Sequence, residues 1–236
     1  MSYLDPYKSH NHLYDVARGI FPHESALSIF GFNRDVGIDF ETVWNDGSTY
    51  AYPSAAVIMS AVSTSASDVM PVLISGLDSD YEPISEIVTL TGTSAVTTTT
   101  PFFRINSAVI LAGSNVGDIS ISNGGVKYAF IEATIGVTQS CLYTVPANCS
   151  MYIFRIDANS ATTNANKFIT LRNVVTTNGR TLRVSEATFA TSQVSYDRQV
   201  PFKIVEKSDF QFQAKSSSGT NEVAFFVEAT LSRDPV

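Results

Sequence analysis

The sequence predicts an all-β protein with two β-sandwich domains, of the jelly-roll or immunoglobulin-like kind, preceded by an extended N-terminal arm. Short apolar runs alternate with clusters of Gly, Asp, Ser and Thr, as in a sheet meander. Hydrophobic residues make up 44% of the 236 residues and charged residues only 16%, a balance that favours strands over exposed helices. The predicted arm covers residues 1–35, the first sandwich 36–135 and the second sandwich 136–236.

The predicted arm holds all three histidines and three of the ten tyrosines, with little strand periodicity. A short helix is predicted over residues 13–20 and ends at Gly19, because Leu13, Val16 and Ala17 share one helical face. The rest of the arm is expected to be extended. It carries too many large apolar side chains to remain in water, so it either folds back on its own domain or docks on another subunit. The candidate partner-docking residues are Tyr3, Tyr7, Tyr14, Phe21, Phe30 and Phe32.

The first sandwich is predicted to begin at Phe40. Its predicted strands are residues 40–44, 49–52, 55–62, 84–90 and 126–134. The Asn-Asp-Gly sequence at 45–47 is a common tight-turn signal between the first two. Trp44, the single tryptophan, is expected to anchor the core. The threonine tract 97–100 ends at Pro101, which cannot donate to a ladder, so the tract is predicted as an edge strand or a turn.

The second sandwich is predicted to begin near Gly136, where apolar alternation restarts. Its predicted strands are residues 141–145, 151–157, 167–175, 181–189, 210–215 and 222–231. The last strand alternates most cleanly, and residues 210–215 alternate in the same way, which is typical of sandwich strands with one dry and one wet face.

Charge and hydropathy exclude some partners. The net charge of -7, with a pI near 4.9, repels a phosphate backbone, so no nucleic-acid partner is expected. No run of about 18 apolar residues is present to cross a bilayer. The first 18 residues lack the basic start and apolar centre of a secretion signal, so we expect neither a membrane partner nor export.

Side chains that could bind metal do not form a recognisable site. The histidines His10, His12 and His23 have no cysteine partners, which favours surface histidines over a zinc site. The acidic run Asp78, Asp80 and Glu82 has the alternation of a calcium loop but lacks its glycine turn and closing glutamate, which favours a solvated turn. No cofactor or metal is therefore expected.

No residues are spaced like a nucleophile, a phosphate loop or a paired acid and base, so no enzyme is expected. The two cysteines, Cys141 and Cys149, flank a turn-like segment and could face each other across a hairpin. Two ordinary sheet residues are favoured over a disulfide, although the pairing stays open at this point.

Three consecutive stretches resemble a recurrent module of tailed-bacteriophage virion structural proteins. They are GLDSDYEPISEIVTLTGTSAV at 76–96, FFRINSAVILAG at 102–113 and NVGDISI at 115–121. The arm segment 17–36 is similar to the arm that precedes this module. The stretches YTVPANCSMYI at 143–153 and EKSDF at 206–210 resemble the module's later parts more loosely.

The resemblance implies a non-enzymatic virion component built of β-sandwiches, with capsid decoration or cementing as the first interpretation. It implies phage capsid or tail proteins as partners and a homo-oligomer, with a trimer expected from the habit of the family. A tail, neck or fibre-associated protein, including a receptor-binding one, is the alternative. A carbohydrate-binding module and an all-β hydrolase are more remote alternatives, and the hydrolase would need paired buried carboxylates.

Overall fold

The computed structural model describes residues 11–161, 167–190 and 192–233. Within these residues the chain is all-β apart from one short helix, which confirms the predicted fold class. The elements in chain order are α1 (His12–Ala17), β1 (Glu24–Val36), β2 (Glu41–Thr42), β3 (Val57–Ser63), β4 (Pro71–Leu77), β5 (Pro83–Thr89), β6 (Val96–Phe102), β7 (Arg104–Ile110), β8 (Ile119–Asn123), β9 (Val126–Ile131), β10 (Leu142–Thr144), β11 (Cys149–Ser160), β12 (Ile169–Thr177), β13 (Arg180–Phe189), β14 (Gln193–Ile204), β15 (Asp209–Ser216) and β16 (Asn221–Arg233).

The central part of the chain forms sandwich I, over residues 57–131. One sheet has the strand order β6-β3-β8-β9 and the other β5-β4-β7. Side chains from both sheets share one core that contains Met59, Ile74, Phe102 and Ile121, each fully buried. The threonine tract lies in β6 at the edge of its sheet, as predicted.

Sandwich II is built from segments on both sides of sandwich I. One sheet has the order β1-β16-β11-β14 and the other β10-β15-β12-β13, with β2 added beside β15. The inward positions of β16 are Val223, Phe225, Val227 and Ala229, all buried as the sequence alternation predicts. Their side chains meet those of β15 in a single core.

The strand β1 corrects the predicted extent of the arm. Residues 24–35 form most of β1, which pairs antiparallel with β16 and places Ile29 opposite Val227. Inward apolar residues of β1 therefore bury against the core of sandwich II within the same chain. Gly31 allows this approach, because a Cβ there would lie 2.3 Å from the backbone nitrogen of Cys141.

The division at residue 36 also differs from the structure. Val36 and Val43 belong to the core of sandwich II, although the sequence assigned both to the first domain. Sandwich I is therefore an insertion between β2 and β10 of sandwich II. The last strand of sandwich I, β9, ends at Ile131, and the chain re-enters sandwich II at β10, which starts at Leu142.

Residues 49–52 do not form the predicted strand. Tyr50 and Tyr52 instead pack with Trp44 and Tyr128 in an aromatic cluster, where the Trp44 and Tyr50 rings meet edge to face at 5.1 Å. The backbone nitrogen of Tyr50 donates to the Thr42 hydroxyl at 2.9 Å, so it is satisfied without a strand partner. Trp44 is buried, which confirms its predicted role as a core anchor.

The wet face predicted for residues 210–215 is covered in the structure. Gln211 and Gln213 are buried, and the Gln211 side-chain carbonyl accepts from the Thr42 hydroxyl at 2.7 Å. Arg172 Nε donates to the side-chain carbonyl oxygen of Gln213 at 2.7 Å. The short strand β2 pairs with this part of β15. The hydroxyl of its Thr42 thereby satisfies the Gln211 side chain, which would otherwise face water.

The predicted helix is present but shorter than expected. Asn11 caps α1, because its side-chain oxygen accepts from the backbone nitrogen of Tyr14 at 3.2 Å. Gly19 follows the helix with a φ of +73°, the left-handed conformation that commonly ends helices.

Candidate assembly surfaces and the junction between the sandwiches

A buried ion pair joins the two sandwiches. Arg104 begins β7 of sandwich I, and Asp209 begins β15 of sandwich II. The Arg104 Nε lies 2.8 Å from Asp209 Oδ1, and its Nη2 lies 3.0 Å from Oδ2. Their exposed fractions are only 6% and 7%. This bidentate geometry fixes both the distance and the orientation of the two groups.

The remaining polar atoms of this pair also have partners. Arg104 Nη1 donates to the carbonyl oxygens of Pro53 at 2.9 Å and Phe103 at 2.8 Å. The Thr144 hydroxyl donates to Asp209 Oδ1 at 2.7 Å. Burial alone would lower the pKa of Arg104, but the hydrogen bond and the charge of Asp209 outweigh it and raise that pKa. Arg104 is therefore charged and held on both sides.

Aromatic rings enclose the Arg104 guanidinium. Its central carbon lies 3.9 Å from the centre of the Phe103 ring, 5.0 Å from Tyr52 and 5.9 Å from Tyr81. The Tyr52 hydroxyl donates to the carbonyl of Phe210 at 3.3 Å, across the junction. Burial raises the pKa of Tyr52 well above its ordinary value, so this hydroxyl stays protonated.

Residues from four of the sequence stretches quoted above converge on this junction. Tyr81 comes from GLDSDYEP, Arg104 from FFRIN, Thr144 from YTVP and Asp209 from EKSDF. Gly76 in the first motif allows β4 to pass Arg104, because a Cβ there would lie 2.0 Å from the Arg104 carbonyl oxygen. These motif residues therefore hold two sandwiches together.

Sequence reasoning missed the Arg104–Asp209 pair as a site. The signal that could have found it is an arginine between Phe102-Phe103 and Ile105, in a chain that has only 15 lysines and arginines. A charge inside an apolar strand needs a partner. Nothing in the sequence identifies that partner, because Asp209 is 105 positions away.

One end of sandwich I forms an exposed apolar surface, here called the apolar tip. It consists of Val69, Leu111, Val116 and Ile135, each on a loop between strands. Val69 and Val116 are each 63% exposed. Apolar side chains grouped on a surface are typical of contact sites.

Buried polar side chains fix the loops of the apolar tip. The Asp68 carboxylate accepts from the backbone nitrogens of Val116 at 2.8 Å and Gly117 at 3.0 Å, and from the Ser63 hydroxyl at 2.5 Å. Burial acts to raise the pKa of Asp68, but these hydrogen bonds outweigh it and lower the pKa. The NVGD motif is thereby tied to the preceding loop.

Asn115 connects the loop that carries Val116 to the loop that carries Ile135. Its side-chain nitrogen donates to the carbonyls of Gly117 and Glu132, each at 2.8 Å, and its oxygen accepts from the Gly136 nitrogen at 3.1 Å. The apolar tip is therefore held in one conformation rather than carried on loose loops.

A second exposed surface is the open side of sandwich II. It is formed by β13 and β14, which are edge strands of the two sheets. Sequence reasoning did not predict β14. Nearly all residues of both strands are exposed or half-buried, including Leu182, Val184, Tyr196 and Val200, and Val200 is 78% exposed. Long edge strands with apolar side chains are open to pairing with another chain.

The six predicted docking residues do not form one surface. Tyr3 and Tyr7 lie outside the described residues. Tyr14 is exposed on α1, and Phe21 is half-buried with its ring 4.8 Å from that of His12. Phe30 and Phe32 lie on the outward face of β1, where Phe30 stands opposite Phe226. Their role in docking remains a prediction.

The predicted metal-ligand candidates have other partners in the structure. Asp78 Oδ1 accepts from the backbone nitrogens of Asp80 at 2.8 Å and Glu82 at 2.9 Å, which closes the turn between β4 and β5. His12 lies 2.9 Å from a Glu24 carboxylate oxygen. Among the described residues, no group of three or more His, Cys, Asp and Glu side chains is placed to hold a metal ion.

Cys141 and Cys149 are both thiols buried in the core of sandwich II. Burial raises the pKa of the Cys141 thiol far above its ordinary value, so it is not a reactive thiolate. In the part of the chain that the structure describes, no helix has the length and apolar character needed to span a membrane.

No family model and no curated protein matches the chain. Among solved structures, the chain is similar to the crystal structure of the infectious bursal disease virus VP2 subviral particle, with 9% identity and a TM-score of 0.23 over 90% of this chain and 78% of that one. The structure of the infectious bursal disease virus Gx strain gives 10% identity and a TM-score of 0.23, over 90% and 77% of the two chains. Superposition at this score is too poor to support a conclusion, so we infer nothing about function from either likeness.

Proposed function

We propose that this chain is a non-enzymatic structural component of a tailed-phage particle, attached to the capsid surface as a decoration or cement protein. The observation that carries the proposal is the convergence of the phage-like motifs on the Arg104–Asp209 junction. Residues of four separate motifs hold two sandwiches in one fixed arrangement. A rigid, multi-domain body is what a particle protein needs in order to make repeated contacts.

The two exposed surfaces supply contacts of different kinds. The apolar tip is small and held rigid by Asp68 and Asn115, which suits it to seating on a preformed particle surface. The open side of sandwich II presents backbone edges, which suit pairing with a neighbouring copy. We assign particle attachment to the tip and contact between copies, in a trimer or another symmetric ring, to the open side.

Net charge supports an outer position on the particle. The charge of -7 repels packaged DNA, so the chain is better placed on the outside of a shell than on its lining. The same charge would also suit a tail, neck or fibre protein. Whether the chain binds to heads or to tails distinguishes the capsid position from a tail, neck or fibre position.

Co-sedimentation tests the proposal. Purified chain is mixed with particles made by a deletion mutant of the phage that encodes it, and the bound fraction is measured. Val116→Glu places a charge in the apolar tip. We expect it to weaken binding at least tenfold, because the contact no longer buries the valine side chain and the new carboxylate must lose its water there. Val126→Glu is the matched control, because Val126 is an exposed valine in the hairpin at the other end of sandwich I.

The expected result is that wild type and Val126→Glu bind the particle equally and Val116→Glu does not. Binding to purified tails alone, with none to heads, would replace decoration with a tail role. Failure of the wild-type chain to bind any particle component would overturn the proposal.

A further inference from the structure

Sandwich II has a cavity on its open side. A space of about 180 Å³ extends from the gap between β13 and β14 toward the core. Leu171, Phe212 and Phe225 form its floor, with Ala158 on its wall. Ser185 on β13 and Tyr196 on β14 line its mouth, and both are exposed. The lining also includes the charged residues Arg172, Glu186 and Arg198, so the cavity is open to solvent and is apolar at its floor.

The size and lining of the cavity suit one aromatic ring. Phe212 and Phe225 stack at the floor with ring centres 4.4 Å apart and planes inclined by 17°. A further ring can pack against such a pair edge to face or offset. An apolar cavity of roughly 150 Å³ is known to stay dry and bind benzene. The space in sandwich II is slightly larger, enough for a ring with one small substituent.

One buried polar group in the cavity has no protein partner. Asn173 lies on β12 at the cavity wall and is only 3% exposed. Its side-chain oxygen makes no hydrogen bond with any described residue. An amide oxygen left unpaired in a buried site is unfavourable, so a ligand that bonds to it binds more tightly than a purely apolar one.

We propose that this cavity is a binding site for a phenol-type ring, with the ring on the Phe212–Phe225 floor and the hydroxyl on the Asn173 amide. A phenolic hydroxyl both donates and accepts, so it pairs with either end of the amide. The ring belongs to a free small phenol or to a tyrosine side chain, because the two share this chemistry. The inference does not depend on the proposed place of the chain on a particle.

Matched ligands test the proposal on the full chain. Titration calorimetry compares 4-methylphenol with toluene, which is the same ring without the hydroxyl. One net hydrogen bond predicts roughly threefold to tenfold tighter binding of 4-methylphenol. Asn173→Leu keeps the volume and removes the amide, so it is expected to abolish this preference while toluene still binds. Ser185→Phe, at an exposed position on the mouth, is expected to block both ligands without unfolding the chain.

A second variant identifies the source of the ring. Tyr3→Leu/Tyr7→Leu removes the two tyrosines at the start of the chain. If 4-methylphenol binds the wild-type chain, the site takes a free phenol. If it binds only the double variant, one of the chain's own tyrosines occupies the site, in the same or another copy. If neither protein prefers 4-methylphenol to toluene, or if Ser185→Phe leaves binding unchanged, the proposal is overturned.

Discussion

Arg104 and Asp209 lie 105 positions apart in the sequence and meet in a bidentate ion pair at 2.8 and 3.0 Å between the two sandwiches. The pair is buried, and the Thr144 hydroxyl also donates to Asp209 Oδ1. A buried charge is tolerated only while its partner is present. The junction is therefore a point where one substitution has a large effect.

The first prediction concerns that pair. Asp209→Asn leaves the Arg104 charge buried without a counter-charge, and we expect it to lower the free energy of unfolding by about 3 to 5 kcal/mol. We also expect the urea transition to separate into two steps, because the sandwiches lose their strongest connection. Circular dichroism and tryptophan fluorescence measure the two steps, since Trp44 lies in the aromatic cluster near the junction.

The control for this prediction removes both charges. Arg104→Met combined with Asp209→Leu replaces the pair with apolar side chains of similar length, which leaves no unpaired charge. We expect the double variant to be more stable than Asp209→Asn alone. Equal destabilisation in both would mean that the charges do not interact as the structure shows.

The second prediction concerns pH and Asp68. Its pKa in the folded chain lies below its value of about 3.9 in an unfolded chain. The stability that it contributes is therefore complete above about pH 4 and is lost as the pH falls through the folded-state pKa. Urea midpoints measured from pH 6 down to pH 2 should fall in this window for the wild type and fall less for Asp68→Asn.

At neutral pH the same variant should be destabilised by about 1 to 3 kcal/mol, because one amide oxygen must replace a carboxylate that accepts three hydrogen bonds. Glu86→Gln is the comparison. Glu86 is half-buried on sandwich I; burial acts to raise its pKa, but hydrogen bonds from the backbone nitrogens of Thr99 and Thr100 outweigh it and lower the pKa. A pH profile of Asp68→Asn identical to that of the wild type would contradict the prediction.

The third prediction concerns a close backbone approach. Gly76→Ala would place a Cβ 2.0 Å from the Arg104 carbonyl oxygen, so β4 and β7 must move apart. We expect a loss of about 1 to 3 kcal/mol or more in the free energy of unfolding. Gly37→Ala is the control, since its single close neighbour is the Glu41 carboxylate at 3.0 Å, which can rotate away. A Gly76→Ala protein as stable as the wild type, measured by thermal unfolding, would refute this close packing of β4 against β7.

The fourth prediction concerns contact between copies. Val200→Lys places a charge on the open side of sandwich II, and we expect it to reduce self-association by blunting an edge strand. Light scattering at micromolar concentration measures the mass of the assembly. Val126→Lys should leave that mass unchanged, because Val126 lies on sandwich I. If the wild-type chain is a monomer, the open side does not join copies of the chain.

Local alternation predicted most of the fold. The strand β16 was found because its inward residues are all apolar and its outward residues mostly are not. In contrast, β14 has exposed residues on both faces, so no period of two marks it. In β1 large apolar side chains lie on both faces, with Ile29 inward and Phe30 and Phe32 outward, and the partner strand β16 lies at the other end of the chain. No local pattern therefore separates residues 24–35 from the arm.

The candidate surfaces were less predictable than the strands. Val116 is visible in the sequence only as part of a turn, and its exposure depends on Asp68 holding the loop from 48 positions away. The cavity beside Asn173 arises because two edge strands from different sheets stay apart, which no local pattern encodes. Sites formed by distant segments require the fold to be known.

A reconstruction of the phage particle by electron cryomicroscopy tests the proposed function most directly. We predict density on the outer capsid surface, repeated with the symmetry of the shell, that fits both sandwiches as one rigid body with the apolar tip against the particle. A particle without this density, together with recovery of the whole chain in the soluble fraction of the lysate, would contradict a structural role in the virion.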